Sequence, residues 1–435
     1  MEHNTTICAL SSAPGRGAIS VIRMSGPDSV KILSESFSHA DRLEHSKMVL
    51  GTLNADTLRD RVLAVVFYAP DSYTGEDVAE VHCHGSPEIV NAVLRKFVRS
   101  GARYAQPGEF TRRAFESGKM SLDEAEAVGD LINAQSAAAS SAAYEGMRGA
   151  LYRTITAVYD KILTVAGALT AALDYPEEDI ESTTSAEALP VLGECEEELD
   201  RLIKSYGAGE KVRDGVRVAI VGLPNAGKSS LLNRLLGNDR AIVSANAGTT
   251  RDTVEGSYEY NGVLFTLVDT AGVRETSDET EAEGVRRSER AAKTAHIVLR
   301  VIDLSAPVML PVQTDGIIID VYNKTDIAAA PSDAEQSVSA LTGKGISELK
   351  KRIYDAAMSG RVTAGGVMIT NARHYRLALD AAEELRSAKE AFETDSIDLA
   401  SAALSCALAD LGGITGANAT EDVLSDVFSR FCVGK

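Results

Sequence analysis

Hydrophobic and polar positions change period several times along the chain, and each change marks a new kind of element. From the start to about residue 118, Ala18 to Met24, Val62 to Tyr68 and Val78 to His82 are short runs rich in β-branched residues, which predict strands. Pro87 to Val98 has helical spacing, and Pro14-Gly15-Arg16-Gly17, Ser25-Gly26-Pro27 and Pro107-Gly108 supply turns. This stretch reads as an α+β domain. Residues 121 to 205 become rich in Ala, Glu and Leu; Ser121 and Glu124 form a capping box at a helix start, and a break is expected at Tyr175-Pro176-Glu177-Glu178-Asp179. Residues 371 to 430 return to the same helical composition. Between the two helical stretches, strands alternate with helices. The economical architecture is an α/β domain inserted into a helical one, with boundaries at 1–118, 119–210, 211–362 and 363–435.

The inserted stretch carries the chemistry. The strand Val216 to Val221 feeds Gly222-Leu223-Pro224-Asn225-Ala226-Gly227-Lys228-Ser229, and an amphipathic Ser230 to Leu236 follows. This is a phosphate-binding loop: glycines let backbone N–H groups turn onto phosphates at the positive end of a helix. Asn225, Ala226, Gly227, Lys228, Ser229 and Ser230 are the expected nucleotide contacts. Lys228 would reach the β- and γ-phosphates, and the Ser229 hydroxyl would hold Mg²⁺.

Three further signals follow in the order that a GTPase needs. Asp269-Thr270-Ala271-Gly272 ends the apolar strand Val263 to Val268, which places Asp269 to meet Mg²⁺ through water and the Gly272 N–H near the γ-phosphate. Asn323-Lys324-Thr325-Asp326 ends the strand Gly316 to Tyr322. Asp326 can accept two hydrogen bonds from the guanine N1–H and 2-amino group, which adenine cannot offer. Ser339-Ala340 would set a backbone N–H at guanine O6, and Thr250 in Gly248-Thr249-Thr250 is the natural second Mg²⁺ ligand. Val273 stands where Ras-like hydrolases use Gln to orient the attacking water. Glu275 is the nearest replacement, equally readable as a solvated charge, and Arg251, Arg274 or a cation could offset the transition-state charge.

Composition narrows the class. At 435 residues, two to three domains are expected; 44% hydrophobic and 25% charged residues are those of a globular soluble protein. No apolar run is expected to span a membrane, since even Ile297 to Leu310 is broken by Arg300 and Asp303, and Met1 to Thr6 opens no secretory signal, so a cytoplasmic protein with no membrane association is expected. Five scattered cysteines argue against a disulfide framework. A net charge of −19 argues against a large nucleic-acid surface of its own, so any RNA substrate calls for a partner. His82-Cys83-His84 reads as strand packing, because alternate residues face opposite ways and no second ligand pair follows.

Taken together, the motifs resemble the tRNA modification GTPase family MnmE, also called TrmE, nearly from end to end. The resemblance is carried by Pro14-Gly15-Arg16-Gly17, Ile22 to Pro27, Ser72-Tyr73-Thr74-Gly75-Glu76-Asp77, Pro107 to Phe115, Asp174 to Ile180 and the terminal Cys432-Val433-Gly434-Lys435. It implies an N-terminal α+β domain that binds tetrahydrofolate and dimerises, and a central helical domain with an inserted Ras-like P-loop GTPase domain. It further implies an FAD-dependent partner, MnmG (GidA), in a heterotetramer. Together they would add an aminomethyl or carboxymethylaminomethyl group to C5 of the wobble uridine of certain tRNAs. The one-carbon donor would be 5,10-methylene- or 5-formyl-tetrahydrofolate, contacted by Arg23, Glu80, Lys119 and Lys435.

The resemblance also implies potassium in place of an arginine finger. Asn225 would be a ligand beside the loop Ser244-Ala245-Asn246-Ala247-Gly248-Thr249-Thr250, with Ser244, Asn246 and Thr249 completing the shell. It places Glu275 as the acid that orients water. Cys432 reads either as a reactive thiol near the folate or as a small apolar residue docking the tail. Two departures stand out: only a short connection separates Asp303 from Gly316, where a helix is usual, and Cys83 replaces a small residue. Competing readings are a GTP switch without chemistry of its own and a folate-dependent aminomethyltransferase that needs no flavoprotein.

Overall fold

The computed structural model describes residues 5–56, 58–174, 185–237, 254–269, 290–358 and 366–435. Two compact units result: Met1–Gly129, Gly146–Ile155 and Leu411–Lys435 form one, Asp130–Glu145 and Thr156–Asp410 the other. The helices are α1 (Ser29–Ser36), α2 (Pro87–Arg99), α3 (Glu109–Glu116), α4 (Leu122–Asn133), α5 (Ala137–Met147) and α6 (Ala150–Asp174). They continue with α7 (Ser185–Asp214), α8 (Lys228–Leu236), α9 (Ile346–Ala357), α10 (Ala372–Glu393), α11 (Ile397–Thr415) and α12 (Glu421–Ser429).

The first unit is built on β1 (Ile7–Leu10), β2 (Ile19–Ser25), β3 (Val49–Ala55), β4 (Leu58–Phe67), β5 (Val78–His84) and β6 (Arg103–Tyr104). They form one sheet in the order β3-β4-β5-β2-β1-β6, antiparallel except at β1–β6. Burial alternates along β3 with period two, as in a sheet with one covered and one solvated face. The covered face carries the main core, which includes Ile22, Met24, Leu33, Val81 and Phe97. Cys83 belongs to it, and burial together with the Asp60 charge pushes its thiol up to about 11. His82 and His84 lie beside Glu80 and Asp60 instead, as strand alternation requires.

The sequence pattern located β2, β4, β5 and α2 within a few residues. Polar Arg59, Asp60 and Arg61 lead into β4 and mask its start. At α4 the capping box is present: the Ser121 N–H donates to Glu124 Oε2 at 2.8 Å, and the Glu124 N–H to Ser121 Oγ at 3.4 Å. The expected break at 175–179 lies outside the described residues.

The second unit holds β7 (Val216–Gly222), β8 (Val254–Tyr260), β9 (Val263–Asp269), β10 (Ile297–Asp303) and β11 (Ile317–Asn323). The sheet order is β11-β10-β7-β9-β8, parallel except for β8. Such a sheet is buried on both faces and opens its ligand crevice at the carboxyl ends of its strands. Alongside it, α7 packs lengthwise on α10. Glu196 accepts from Arg386 at 2.7 Å and Lys389 at 2.8 Å across that seam.

Residues 304–316 form turns and extended chain, with no helix between β10 and β11. Arg300 instead pairs with both Asp320 oxygens, at 2.6 and 2.8 Å, on the sheet face, while Val308 and Met309 stand exposed. The expectation that no apolar run reaches membrane-spanning length is corrected at one helix: α11 is long and apolar enough, by length and composition, to cross a membrane. Its Ala400, Leu404, Ala407, Leu411 and Ile414 are fully buried at three-to-four-residue spacing, the pattern of a core helix.

Glu109, at the start of α3, is almost fully buried. It accepts from the Gln106 N–H at 2.8 Å and from Arg103 and Arg113, and Arg113 in turn donates to Glu76 at 2.9 Å. Burial alone would raise the Glu109 carboxyl, but the hydrogen bonds from Arg103, Gln106 and Arg113 outweigh it and hold the group below its ordinary range. Replacing it takes a charge partner from the buried Arg113 and from Arg103, whose side chain is 38% exposed, so Glu109→Gln should cost about 3 kcal/mol near neutral pH in chemical unfolding. A carboxyl lowered in the native state stabilises above its unfolded value and loses that contribution as pH falls through the native one. The penalty should therefore shrink in acid, and a penalty independent of pH would show that the ion pairs are not its source.

Candidate functional site

Strand β7 delivers the chain to the carboxyl edge of its sheet, where Gly222 begins the loop to α8. Gly227 caps α8 at φ +90°, and a Cβ there would lie 2.3 Å from Asn323 Nδ2, so the position admits glycine alone. Within the loop Ala226 is buried, while Asn225, at φ +64°, and Ser229 and Ser230 are exposed. Lys228 Nζ donates to the carbonyls of Gly222 at 2.9 Å and Leu223 at 3.0 Å, which folds its ammonium over the loop.

Base-side residues converge on the same edge. Asn323 Nδ2 donates to the Ala226 carbonyl at 2.9 Å, and Asn323 Oδ1 accepts from the Ala340 N–H at 3.0 Å. One buried amide thus joins the phosphate loop to the loop that carries Ser339 and Ala340. Ser339 Oγ donates to Asp326 Oδ1 at 2.5 Å, leaving the exposed carboxylate held from one side. Lys324, at φ +72°, pairs with Asp303 Oδ2 at 2.5 Å. The Lys324 ammonium, helped by the Ser305 hydroxyl and N–H, holds the Asp303 carboxyl down at about 2. Arg234, late in α8, donates to the Ala340 carbonyl at 3.1 Å and also to that of Leu341, a second tie between α8 and the base loop.

This arrangement offers a glycine loop at a helix start with a lysine and a hydroxyl, beside a carboxylate acceptor held by Ser339: a phosphate site joined to a base site. Profiles described as "MnmE helical domain" and "GTP-binding protein TrmE N-terminus" match residues 122–432 and 6–119. Curated proteins called tRNA modification GTPase MnmE align over 466 residues at 40% identity in Moorella thermoacetica and over 444 at 42% in Akkermansia muciniphila. Each alignment covers 99% of this chain and 99% of the relative. The chain belongs to the MnmE family of tRNA modification GTPases. It is a GTP hydrolase with a role in tRNA modification, and its architecture is the family's: an N-terminal α+β domain and a helical domain carrying an inserted GTPase domain. A solved G domain, that of the T. maritima FeoB iron transporter, is 27% identical and covers 33% of this chain and 98% of its own, with a TM-score of 0.25.

Several expected residues of this MnmE-family site lie outside the described residues: Ser244, Ala245, Asn246, Ala247, Gly248, Thr249, Thr250, Thr270, Ala271, Gly272 and Glu275. So do Arg251 and Arg274. Asp269 ends β9, paired with Ile220 of β7, so its backbone arrives at the phosphate-loop edge.

In the first unit a second constellation forms around Arg23. Its Nε donates to Glu80 Oε1 at 2.7 Å across the β2–β5 pair, and its guanidinium lies 5.2 Å from the Tyr73 ring and 5.7 Å from that of Phe110. The tail docks nearby: the Phe110 N–H donates to the Lys435 carbonyl at 3.2 Å, Ser11 Oγ to that of Gly434 at 2.9 Å, and Val433 bridges Pro107. Gly434, at φ +100°, is required because a Cβ there would meet the Leu10 carbonyl at 2.1 Å. Through Phe110 the structure thus brings Arg23, Glu80 and the tail backbone of Lys435 into one region. Cys432 is exposed on this docked tail, and the Lys119 stem lies by Gly75.

Sequence reasoning missed Tyr73, Phe110, Asp303 and Arg234. For Asp303 a signal existed, since β10 and β11 are equal seven-residue strands ending on Asp303 and Asn323. The tie through Asn323 is directly testable. Asn323→Ala removes both of its bonds, and guanine nucleotide affinity should fall about tenfold to a hundredfold in a fluorescent-GDP titration while secondary structure by circular dichroism is retained. Unchanged affinity would mean that the two loops hold their places without it.

Proposed function

We propose that the chain hydrolyses GTP in a potassium-dependent cycle and, with the FAD protein MnmG (GidA), adds an aminomethyl or carboxymethylaminomethyl group to C5 of the wobble uridine of certain tRNAs. The one-carbon donor is 5,10-methylene- or 5-formyl-tetrahydrofolate. The observation that carries this reading is the alignment of the whole chain with MnmE proteins. Asp326 reads guanine by accepting from its N1–H and 2-amino group, which agrees with the Ser339 bond that fixes one carboxylate oxygen. Lys228 offsets phosphate charge, and the hydroxyls of Ser229 and Thr250 are hard donors suited to Mg²⁺. Asp269 meets that ion through water, and the segment 270–272 approaches the γ-phosphate.

Asn225 suits potassium: it carries an oxygen donor on an exposed, left-handed residue of the phosphate loop. Ser244, Asn246 and Thr249 complete its shell, and Glu275 orients the attacking water. Potassium, when bound, supplies positive charge where charge develops on the phosphoryl group. Folate is held by Arg23, Glu80, Lys119 and Lys435 beside the Cys432 tail, a set that combines charge with the Tyr73 and Phe110 rings.

A homodimer through the N-terminal domain is supported by an apolar patch on the sheet: Leu50 and Leu63, opposite each other on β3 and β4, are exposed with nearby Met48. The acidic chain relies on MnmG for basic surface towards tRNA, and the complex works in the cytoplasm without a membrane.

In steady-state assays GTP hydrolysis should run roughly tenfold or more faster in potassium than in sodium, a gain of the size that charge stabilisation supplies. Asn225→Ala should abolish the difference; equal rates in both salts would sink the potassium reading. For the folate site, equilibrium dialysis of 5-formyl-tetrahydrofolate should show about tenfold weaker binding to Arg23→Ala, as expected for a lost charge-assisted contact. Wild-type binding by that variant would remove Arg23 from the site.

A further inference from the structure

We propose that Arg234 is a positioning residue for guanine recognition: from the last turn of the phosphate-loop helix it orients the turn at 339–344 that meets the 6-oxo edge of the base. Its Nε donates to the Ala340 carbonyl at 3.1 Å, and an Nη of the same guanidinium donates to the carbonyl of Leu341. The side chain also lies against Gly343, where a Cβ would stand 3.8 Å from Arg234 Cδ, Nε and Cζ. Among the described residues no carboxylate pairs with Arg234, so its bonds go to this turn.

A peptide is planar, so a carbonyl held in place fixes the direction of the N–H across the same bond. Arg234 holds two successive peptides, Ala340–Leu341 and Leu341–Thr342, and its flat fork suits two neighbouring oxygens as an ammonium would not. The Leu341 N–H, on the far side of the first peptide, makes no bond among the described residues. It adds a donor beside the Ser339–Ala340 backbone that the guanine reading assigns to O6. Leu341 is 74% exposed, so packing does not hold the apex. Bonds inside the turn, from the Gly343 N–H to the Ser339 carbonyl at 2.8 Å and from the Thr342 N–H to Ser339 Oγ at 3.1 Å, set its shape but not its place. Its place is fixed from two sides: Asn323 Oδ1 takes the Ala340 N–H at 3.0 Å, and Arg234 takes the carbonyls. Lys228 opens α8 and Arg234 stands in its last turn, so one helix serves both the phosphates and the base.

The inference rests on Asp326 and the 339–340 backbone as the base site, and the test separates the two. With the full-length protein, GDP, IDP and 6-thio-GDP displace fluorescent GDP from wild type, Arg234→Met and Arg234→Lys, and kcat and KM are measured for GTP. IDP lacks the 2-amino group and reports on Asp326; 6-thio-GDP replaces the 6-oxo group by sulfur and reports on the turn. Arg234→Met should weaken GDP binding and raise KM about five- to tenfold, as expected for lost charge-assisted bonds, with kcat within about twofold. Its preference for GDP over 6-thio-GDP should shrink towards one, while its preference for GDP over IDP stays within about twofold of wild type. Arg234→Lys, which keeps the charge but not the fork, should lose about threefold with the same narrowing, and it decides the matter if Arg234→Met does not fold. A wild-type GDP to 6-thio-GDP ratio in both variants overturns the proposal, as does an equal loss for the two nucleotides, which would reflect charge or fold alone. A wild-type protein indifferent to sulfur at that position also overturns it. Equal wild-type affinity for GDP and IDP overturns the Asp326 reading instead, and the 6-thio-GDP comparison still decides the role of Arg234.

Discussion

The amide of Asn323 is the interaction on which the nucleotide site depends. It donates to the phosphate loop at Ala226 and accepts from the base loop at Ala340, and both bonds are shielded from water. A buried amide that satisfies two separate loops ties their positions together, because breaking either bond leaves a polar group unpaired in a low-dielectric setting. Gly227 shows how close the fit is, since nothing larger can stand beside that amide. The parallel register of β7, β10 and β11 brings these loops to the same edge, and Arg234 adds a second tie from α8.

In the first unit, order around Arg23 has a comparable origin. Glu109 starts α3 from a buried position and gathers Arg103, Arg113 and the Gln106 N–H. That anchoring sets Phe110, the next residue, between the Arg23 guanidinium and the tail carbonyl of Lys435. A rigid ionic cluster thus positions an aromatic wall, and the tail is placed by backbone bonds that are indifferent to side-chain identity except at Gly434.

The missing helix between β10 and β11 is a local economy. Arg300 and Asp320 cover part of the face with a paired charge, and Val312 packs against Ala219, Val221 and Val298. Asp303 and Asn323 still end their strands side by side, so shortening the connection leaves the nucleotide edge intact while exposing Val308 and Met309.

The sequence by itself determined the fold class, the phosphate loop, the order of the GTPase signals and the family. Those properties are local: a glycine spacing, a strand that precedes it and a capping box are each written within a few consecutive residues. It also carried β2, β4 and β5, whose apolar runs are long, but hid β1, β3 and β6, which are short or interrupted by polar and glycine positions. Only the tertiary structure decided which polar groups meet. Asn323 with Ala226, Asp303 with Lys324, and Arg23 with Glu80 are 97, 21 and 57 residues apart in sequence. Their partnership follows from strand register and helix packing, and a one-residue slip along a strand would turn each side chain to the opposite face.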